Sequence, residues 1–240
     1  MGGRTPRPSE ILAMGFDRSR VRAREDYVKA IFQLADPEPV KAANVARYLG
    51  VSRVSMSKAK RLLEQDGFLE VADDPTDPLR LTRRGRKLAV SMVRRHRLVE
   101  AFLHSALGVP VDQVHDEAER LEHAISEDIT LRIARFLCYP GRDPHGHRIP
   151  YEDTDACFDG LPALSSAPIG ARVRVVSLDD RDTESVRLLV ASGILPGLVA
   201  HVDAIDGKRI LLRCGQRRIA LRPALAANVR VEPVRVRPTS

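Results

Sequence analysis

The chain has 240 residues, 43% of them hydrophobic and 30% charged, a balance that suits one to three folded domains and excludes a largely disordered polypeptide. It has no Trp and only 4% aromatic residues, which argues against aromatic stacking as a way of binding. The formal charge of +7 favours a polyanionic partner, and no apolar run approaches the roughly 20 residues of a membrane span.

The start, MGGRTPRPSE, lacks the apolar stretch of a secretory signal. Cys138, Cys157 and Cys214 are scattered and form no CxxC, so a reducing cytoplasm is expected and a thiolate metal cluster is not. Residues 1–24 are Arg-rich, with Gly and Pro early and few apolar positions, and read as a flexible basic tail. From Glu25, Tyr27, Ile31 and Leu34 recur at helical spacing, widened by Val28, Phe32 and Ala35, and Asp36-Pro37 should stop that helix.

A short helix near 41–49 buries Val45 and Leu49 and ends at Gly50, which suits a left-handed C-cap. Ser52 is placed to cap a helix running to about Gln65, with Ala59, Leu62 and Leu63 inward. Its outer positions, Arg53, Ser55, Ser57 and Lys58, are small or basic, so the helix can approach a groove closely. Phe68–Val71 and Leu79–Leu81 read as two strands around the turn 73–78. This is the layout of a helix-turn-helix with a β-wing, a unit that reads DNA.

A long helix from about Thr82 to Leu107 opens with Arg83, Arg84, Arg86, Lys87, Arg94, Arg95 and Arg97 and no acid before Glu100. His96 and Glu100 lie four apart on it, and so share a face. After the break at Gly108-Val109-Pro110, His115, Glu119, Glu122 and His123 fall on one face of a second helix over about 111–123. Imidazoles and carboxylates converging from neighbouring helices can hold manganese, iron or zinc. A solvated polar face is the plain alternative. A third helix, capped by Ser126, runs to Leu137, and three helices behind a winged helix suit a dimerisation layer.

The segment GRDPHGHRIP and the stretch to about Gly170 form an irregular connector. His145 and His147 sit there in a Pro/Gly turn and read as loop residues. From Arg172, five short strands in about sixty residues indicate a small β-barrel, with SGILPG as a short helical turn between them. There is no HExxH, GxSxG elbow or P-loop, so an enzyme such as a metallohydrolase is a distant alternative.

EDYVKAIF, the winged helix ending LTRRGRKLA, then MVRRHRLVEAFL, VHDEAERLEHAIS and DPHGHRIP resemble the diphtheria toxin repressor and manganese transport regulator family of metal-activated transcriptional regulators. The resemblance covers about 25–150 strongly and the C-terminal barrel more loosely. It implies an α+β, mainly α fold: tail 1–24, winged helix-turn-helix 25–90, helical metal-binding and dimerisation domain 91–150, linker 151–170, SH3-like (FeoA-like) barrel 171–234 and tail 235–240. It implies a cytoplasmic, non-enzymatic homodimer on near-palindromic operator DNA, with no membrane or organic substrate as partner. It also implies one or two Mn²⁺ ions per subunit, with Fe²⁺ the alternative.

Carried over by position, the primary site would use Asp26, Glu119, Glu122 and His123. Iron-responding members carry Met and Cys where Asp26 and Glu119 stand here, and manganese-responding members carry Asp and Glu. Lys29 departs from those manganese members that have a second Glu there. A second ion would use His96, Glu100 and His115, with Asp180 from the barrel a credible ligand and Thr183 a poor one. Ser52, Val54, Ser55 and Lys58 match the family's recognition-helix positions, and Arg53, Ser57 and Lys60 complete the expected DNA-contacting set.

Overall fold

The computed structural model describes residues 8–35, 39–74, 76–152 and 160–234. The start of the expected tail, Asp36-Pro37, Pro75, the middle of the connector with Cys157, and the tail 235–240 lie outside the described residues. The chain divides within the 25-residue helix Arg83–Leu107 into two compact units, Met1–Val93 and Arg94–Ser240.

In the first unit, α1 spans Pro8–Leu34, α2 Ala42–Tyr48 and α3 Arg53–Gln65. The expectation of a tail over 1–24 is corrected from Pro8 onward. A proline at the first helical position lacks only an N–H that would have no partner there, and no other proline interrupts 9–34. The three helices pack on one another and bury Val28, Ile31 and Phe32 of α1, Val45 and Ala46 of α2, and Met56 and Leu63 of α3. Ser52 caps α3 as expected, its Oγ accepting from the Ser55 N–H at 3.1 Å. Leu62, however, is 49% exposed. Met56 and Leu63, seven residues apart, define the inner stripe, and Leu62 lies about 100° round the helix from it.

The wing has less regular pairing than its alternation suggests. Single bridges join Leu69 to Leu81 and Val40 to Leu79, so the segment before α2 supplies a third strand-like piece. Pro78 has no N–H to donate, which shortens the ladder. The next helix, α4, spans Arg83–Leu107 and starts hard against the wing. A Cβ on Gly85 would lie 2.1 Å from the Phe68 carbonyl oxygen.

In the second unit, Leu98 and Ala101 of α4 pack with Ile133 and Ala134 of α6 (Glu127–Phe136) and with Ile149. Val99 and Leu103, on another side of α4, pack with Val114 and Ala118 of α5 (Val114–Leu121). The expected helix over 111–123 is shorter: α5 stops at Leu121, and Glu122–Ala124 form a 3₁₀ turn. Ser126 caps α6 through the Ile129 N–H.

The C-terminal part is a five-stranded antiparallel sheet in the order β4-β3-β2-β1-β5, formed by β1 (Arg172–Leu178), β2 (Val199–Ile205), β3 (Ile210–Cys214), β4 (Arg217–Leu221) and β5 (Val229–Pro233). Alternate strand residues such as Val173, Val175, Ala200, Val202, Ile210 and Leu212 form its buried face. Two short helices accompany it, α7 (Thr183–Ala191) and α8 (Pro223–Ala226). The helical turn expected at SGILPG is corrected: the helix is α7, upstream, and Gly193 at φ +76° ends it. The molecule is therefore α+β and mainly helical, as expected.

The Gly85 contact is with backbone, which cannot swing aside. Gly85→Ala should destabilise the first unit by about 1–3 kcal/mol; thermal and urea unfolding would measure this, and an unchanged midpoint would show that the α4–wing contact is slack.

Candidate metal centre

On α4 the four-residue spacing of His96 and Glu100 turns both inward, where they are 2% and 0% exposed. His96 is bonded at both ring nitrogens. Nδ1 lies 2.8 Å from Glu122 Oε2, and Nε2 lies 2.9 Å from Glu100 Oε1 and 3.1 Å from His115 Nδ1. His115 Nδ1 is also 3.1 Å from Glu100 Oε1 and 3.7 Å from Asp180 Oδ2. His96, Glu100, His115 and Asp180 thus each present a donor atom to one small volume, within 4.8 Å of one another. Asp180 reaches it from just beyond β1. Thr183 does not join, since its hydroxyl donates to Asp116 Oδ1 at 3.3 Å.

His96 also belongs to a second group with Glu119 and Glu122. Glu119 Oε1 stands 3.7 Å from His96 Nδ1, and His123 Nε2 lies 3.4 Å from Glu122 Oε1. Ending α5 at Leu121 carries Glu122 and His123 on the 3₁₀ turn. Glu122 is fully buried there, and His123 is partly so. Asp26 lies in the first unit, half-buried on α1, three residues before the buried Lys29.

The reading of His145 and His147 as plain loop residues is corrected. Leu178 N donates to the His145 carbonyl at 2.9 Å, and the Gly146 backbone, at φ +90°, is pressed against the Val176 carbonyl, where a Cβ would lie at 1.9 Å. These contacts hold the DPHGH turn on the end of β1, beside Asp180. His145 Nε2 donates to the Val111 carbonyl at 2.8 Å. Its Nδ1 therefore carries the lone pair in the neutral ring, and faces Glu100 Oε1 at 3.6 Å and Asp180 Oδ2 at 3.9 Å. His147 Nδ1 lies 3.4 Å from both Asp143 Oδ2 and Asp180 Oδ2. Glu100, Asp143 and His145 form one further donor group, and Asp143, His147 and Asp180 another.

The charges settle accordingly. Burial pushes the Glu100 carboxyl up, but His96, His145 and a hydrogen bond from His115 outweigh it and hold the group well below the usual carboxylate range. Burial also raises Asp180, and again the imidazoles, His147 foremost, bring it far down. Burial lowers His145 and His147, yet their carboxylate neighbours push them up to about 9 and about 10.

These residues fit a divalent cation. Glu100 Oε2, Asp143 Oδ2, His145 Nδ1 and His147 Nδ1 are buried with no hydrogen-bond partner among the described residues, a costly arrangement for polar atoms that neighbouring charges relieve in part. The donors are imidazoles and carboxylates. Neither Cys138 nor Cys214 joins any of the groups.

In the first unit, Ser52, Arg53, Val54, Ser55, Ser57 and Lys58 are all exposed along the start and outer face of α3, Val54 at 65%. Lys60 is half-buried, 3.8 Å from Glu64. A groove of about 550 Å³ runs between α2, α3 and the wing, lined by Lys41, Arg53, Lys60 and Arg61 among others.

Residues 82–151 match the model of the iron dependent repressor, metal binding and dimerisation domain, and residues 163–233 match the FeoA domain. The chain is 31% identical over 229 residues to the iron-dependent repressor IdeR of Mycobacterium tuberculosis, covering 89% of this chain and 98% of the relative. It is 30% identical over 224 residues to the diphtheria toxin repressor of Corynebacterium diphtheriae, covering 88% and 97%. Its fold is similar to a manganese-dependent transcriptional repressor in complex with manganese, at a TM-score of 0.80 and 31% identity over 88% of this chain and 100% of the other. With near-complete coverage of these relatives and a donor cluster in the matched domain, the chain belongs to the diphtheria toxin repressor family of metal-dependent transcriptional regulators.

Proposed function

We propose that this regulator is a manganese-activated repressor that binds near-palindromic operator DNA as a homodimer and controls genes of metal-ion uptake or homeostasis. The observation that carries the choice of metal is the donor set. Around His96 every donor is an imidazole or a carboxylate, a combination that suits a hard ion such as Mn²⁺ and gives softer metals no thiolate to prefer. Iron(II) is the second reading. It is favoured by the iron-dependent relatives, which are as similar to this chain as the manganese-dependent one.

The regulatory ion would be held by Glu119, Glu122 and His123 of the second unit together with Asp26 of the first, and the second ion by His96, Glu100, His115 and Asp180. An ion shared by two separately folded units supplies a link between them that protein contacts alone need not provide. Glu122 contributes twice, as a ligand and as the acceptor that orients His96. Fixing the two units would fix the separation of the α3 helices in a dimer, and DNA selects that separation. Metal and DNA must then tighten each other's binding equally.

For dimerisation, the support is apolar surface on the helices of the second unit and the turn after α6. Leu107, Phe136 and Tyr139 are 62%, 67% and 54% exposed, and Ile129 and Leu131 are each 44% exposed, apolar surface that a second copy of the chain would cover. For DNA, α3 has few long side chains at its start, so base readout should be modest and phosphate contacts from Arg53, Lys58 and their neighbours substantial. No helix among the described residues is long and apolar enough to cross a membrane, and the reading places the protein in the cytoplasm.

DNA sites recovered by selection from a random library provide the test. Mn²⁺ should raise affinity for them by about 5–150-fold, the usual span of such couplings, and Glu122→Ala should abolish the gain while leaving the melting profile cooperative. Equal activation by Mn²⁺, Fe²⁺ and Zn²⁺ would sink the assignment of manganese; activation that survives Glu122→Ala would sink the site.

Removing metal exposes a pH dependence. The folded values of His145 and His147, about 9 and about 10, lie above the roughly 6.5 of an unfolded histidine. Their contribution to stability is fully present below about pH 6.5 and is lost as pH rises through the folded values. In chelator, the melting temperature of the second unit should fall between about pH 7 and pH 10. Excess Mn²⁺ should flatten that slope, because the ion takes the place of the protons.

A further inference from the structure

We propose that the outer face of the C-terminal sheet is a second DNA-binding surface, which holds the phosphates of the double helix outside the segment that α3 reads. Antiparallel pairing puts the side chains of paired residues on one face, with Cβ atoms about 4.5–5.5 Å apart. Across four neighbouring strands the pairs run Arg218 with Arg213, Arg213 with His201, and His201 with Arg172. Strand alternation turns this row away from the core. Val173, Ala200, Val202, Leu212 and Ile219, next to it in sequence, are all buried, and the three arginines are exposed. Three strand spacings make the row about 14 Å long.

Stability of the sheet does not account for this row. Like charges directly opposite each other destabilise a ladder, and Arg213 stands opposite Arg218. One carboxylate answers it, Asp203, whose Oδ2 lies 3.1 Å from Arg213 Nε. Arg172 and Arg218 form no ion pair among the described residues. The other acids of the domain are engaged elsewhere. Asp179, Asp180, Asp182 and Glu184 follow β1 in one run, Asp206 accepts the Lys208 and Arg209 N–H groups in the turn after β2, and Glu232 pairs with Arg174. The kind of cation points to the ligand. The five strands carry six arginines and no lysine, and a planar guanidinium matches two phosphate oxygens at once where an ammonium offers a point charge. Beside the row, Leu211 pairs with Ala204 and Ala220 and adds no charge. A line of guanidinium groups with one acid among them suits the closely spaced phosphates of duplex DNA. The choice of DNA over another polyanion rests on the reading of this chain as a DNA-binding regulator.

The test separates this face from α3. The full chain in MnCl₂ is titrated onto two duplexes that carry the same selected site. One is trimmed to the site, and the other is extended at each end by about 15 base pairs of arbitrary sequence, roughly one and a half turns. Affinities are read by fluorescence anisotropy between about 50 and 200 mM salt. The slope of log affinity against log salt should be steeper on the long duplex by about 2–3 for each barrel engaged, near 0.9 for each phosphate held. Arg218→Glu should remove at least about a third of that difference, one arginine in three, and leave binding to the trimmed duplex unchanged. It also puts a carboxylate opposite Arg213, so the melting temperature should hold or rise and misfolding would not explain the loss. Arg187→Glu, the same charge change on exposed α7 surface, should keep the wild-type slopes. Equal slopes on the two duplexes, or an equal loss from Arg187→Glu, would overturn the proposal. So would polyglutamate displacing the flanking contact as readily as random duplex at matched charge, the mark of an acidic polypeptide partner. Failure of the regulatory reading has a different signature: the long duplex keeps its steeper slope, and neither duplex responds to Mn²⁺.

Discussion

The second unit is built around a carboxylate that water does not reach. Glu100 is fully buried near the middle of α4, and an isolated charge there would cost several kcal/mol. The fold meets that cost with imidazoles brought from three places: His96 one turn earlier on α4, His115 from α5, and His145 from the DPHGH turn. Each of these contacts dictates structure elsewhere. α5 must pack against α4 through Val114 and Ala118 for His115 to reach inward. The DPHGH turn must lie on β1, which brings Asp180 to the same volume. The sheet is thereby tied to the helices by electrostatics and by the main-chain bond from Leu178 to His145. Without a cation the cluster is balanced by protons; on the proposed reading a bound ion would take over that balance, and the same groups would serve both the stability of the domain and its response to metal.

Much of this was visible in the chain as written. The pairing of His96 with Glu100, and the inclusion of His115 and Glu119, follow from helical spacing, because residues four apart share a face whatever the tertiary structure. The strand assignments of the sheet follow from alternation, and Ser52 and Ser126 declared their caps by type and place. What escaped depends on distance along the chain. His145 and His147 looked isolated because the carboxylates opposite them, Glu100 and Asp180, come from other elements, and only Asp143 is local. α7 was missed because Val186, Leu188, Leu189 and Val190 sit in a strand-rich neighbourhood, where a short apolar run does not distinguish helix from strand. Leu62 was placed inward because a leucine pair does not reveal which member faces the core; Met56, one heptad before Leu63, decides it. The early end of α5 is also tertiary, since Glu122 turns out of the helical phase to meet His96.

Lys29 bears on the first unit in a comparable way. It is 4% exposed on α1, three residues from Asp26, and a primary ammonium cannot donate a lone pair while protonated. Family resemblance places a carboxylate there in those manganese-responding members that gather two ions closely. A cation in the chain at that position adds positive charge where a second ion would bring its own. The cluster in the second unit has the opposite balance, with Glu100, Asp143 and Asp180 all buried.

His96 joins these considerations, because it belongs to two donor groups through different nitrogens: Nδ1 faces Glu122 and Glu119, and Nε2 faces Glu100 and His115. A neutral imidazole has one lone pair and one N–H. If Nδ1 donates its proton to Glu122, at 2.8 Å, the lone pair on Nε2 is directed into the Glu100 group. Glu122 then orients a ligand of the second group while its other oxygen remains available to the first, the carboxylate–histidine relay that fixes a metal ligand's tautomer. The opposite tautomer would direct the lone pair to Glu119 and Glu122 and leave Nε2–H donating to Glu100. One ring cannot serve both groups as a ligand at once without losing both protons. On the proposed reading, an ion on His96 Nε2 would therefore leave Nδ1–H facing Glu122 and Glu119, and so would fix the tautomer that those carboxylates meet.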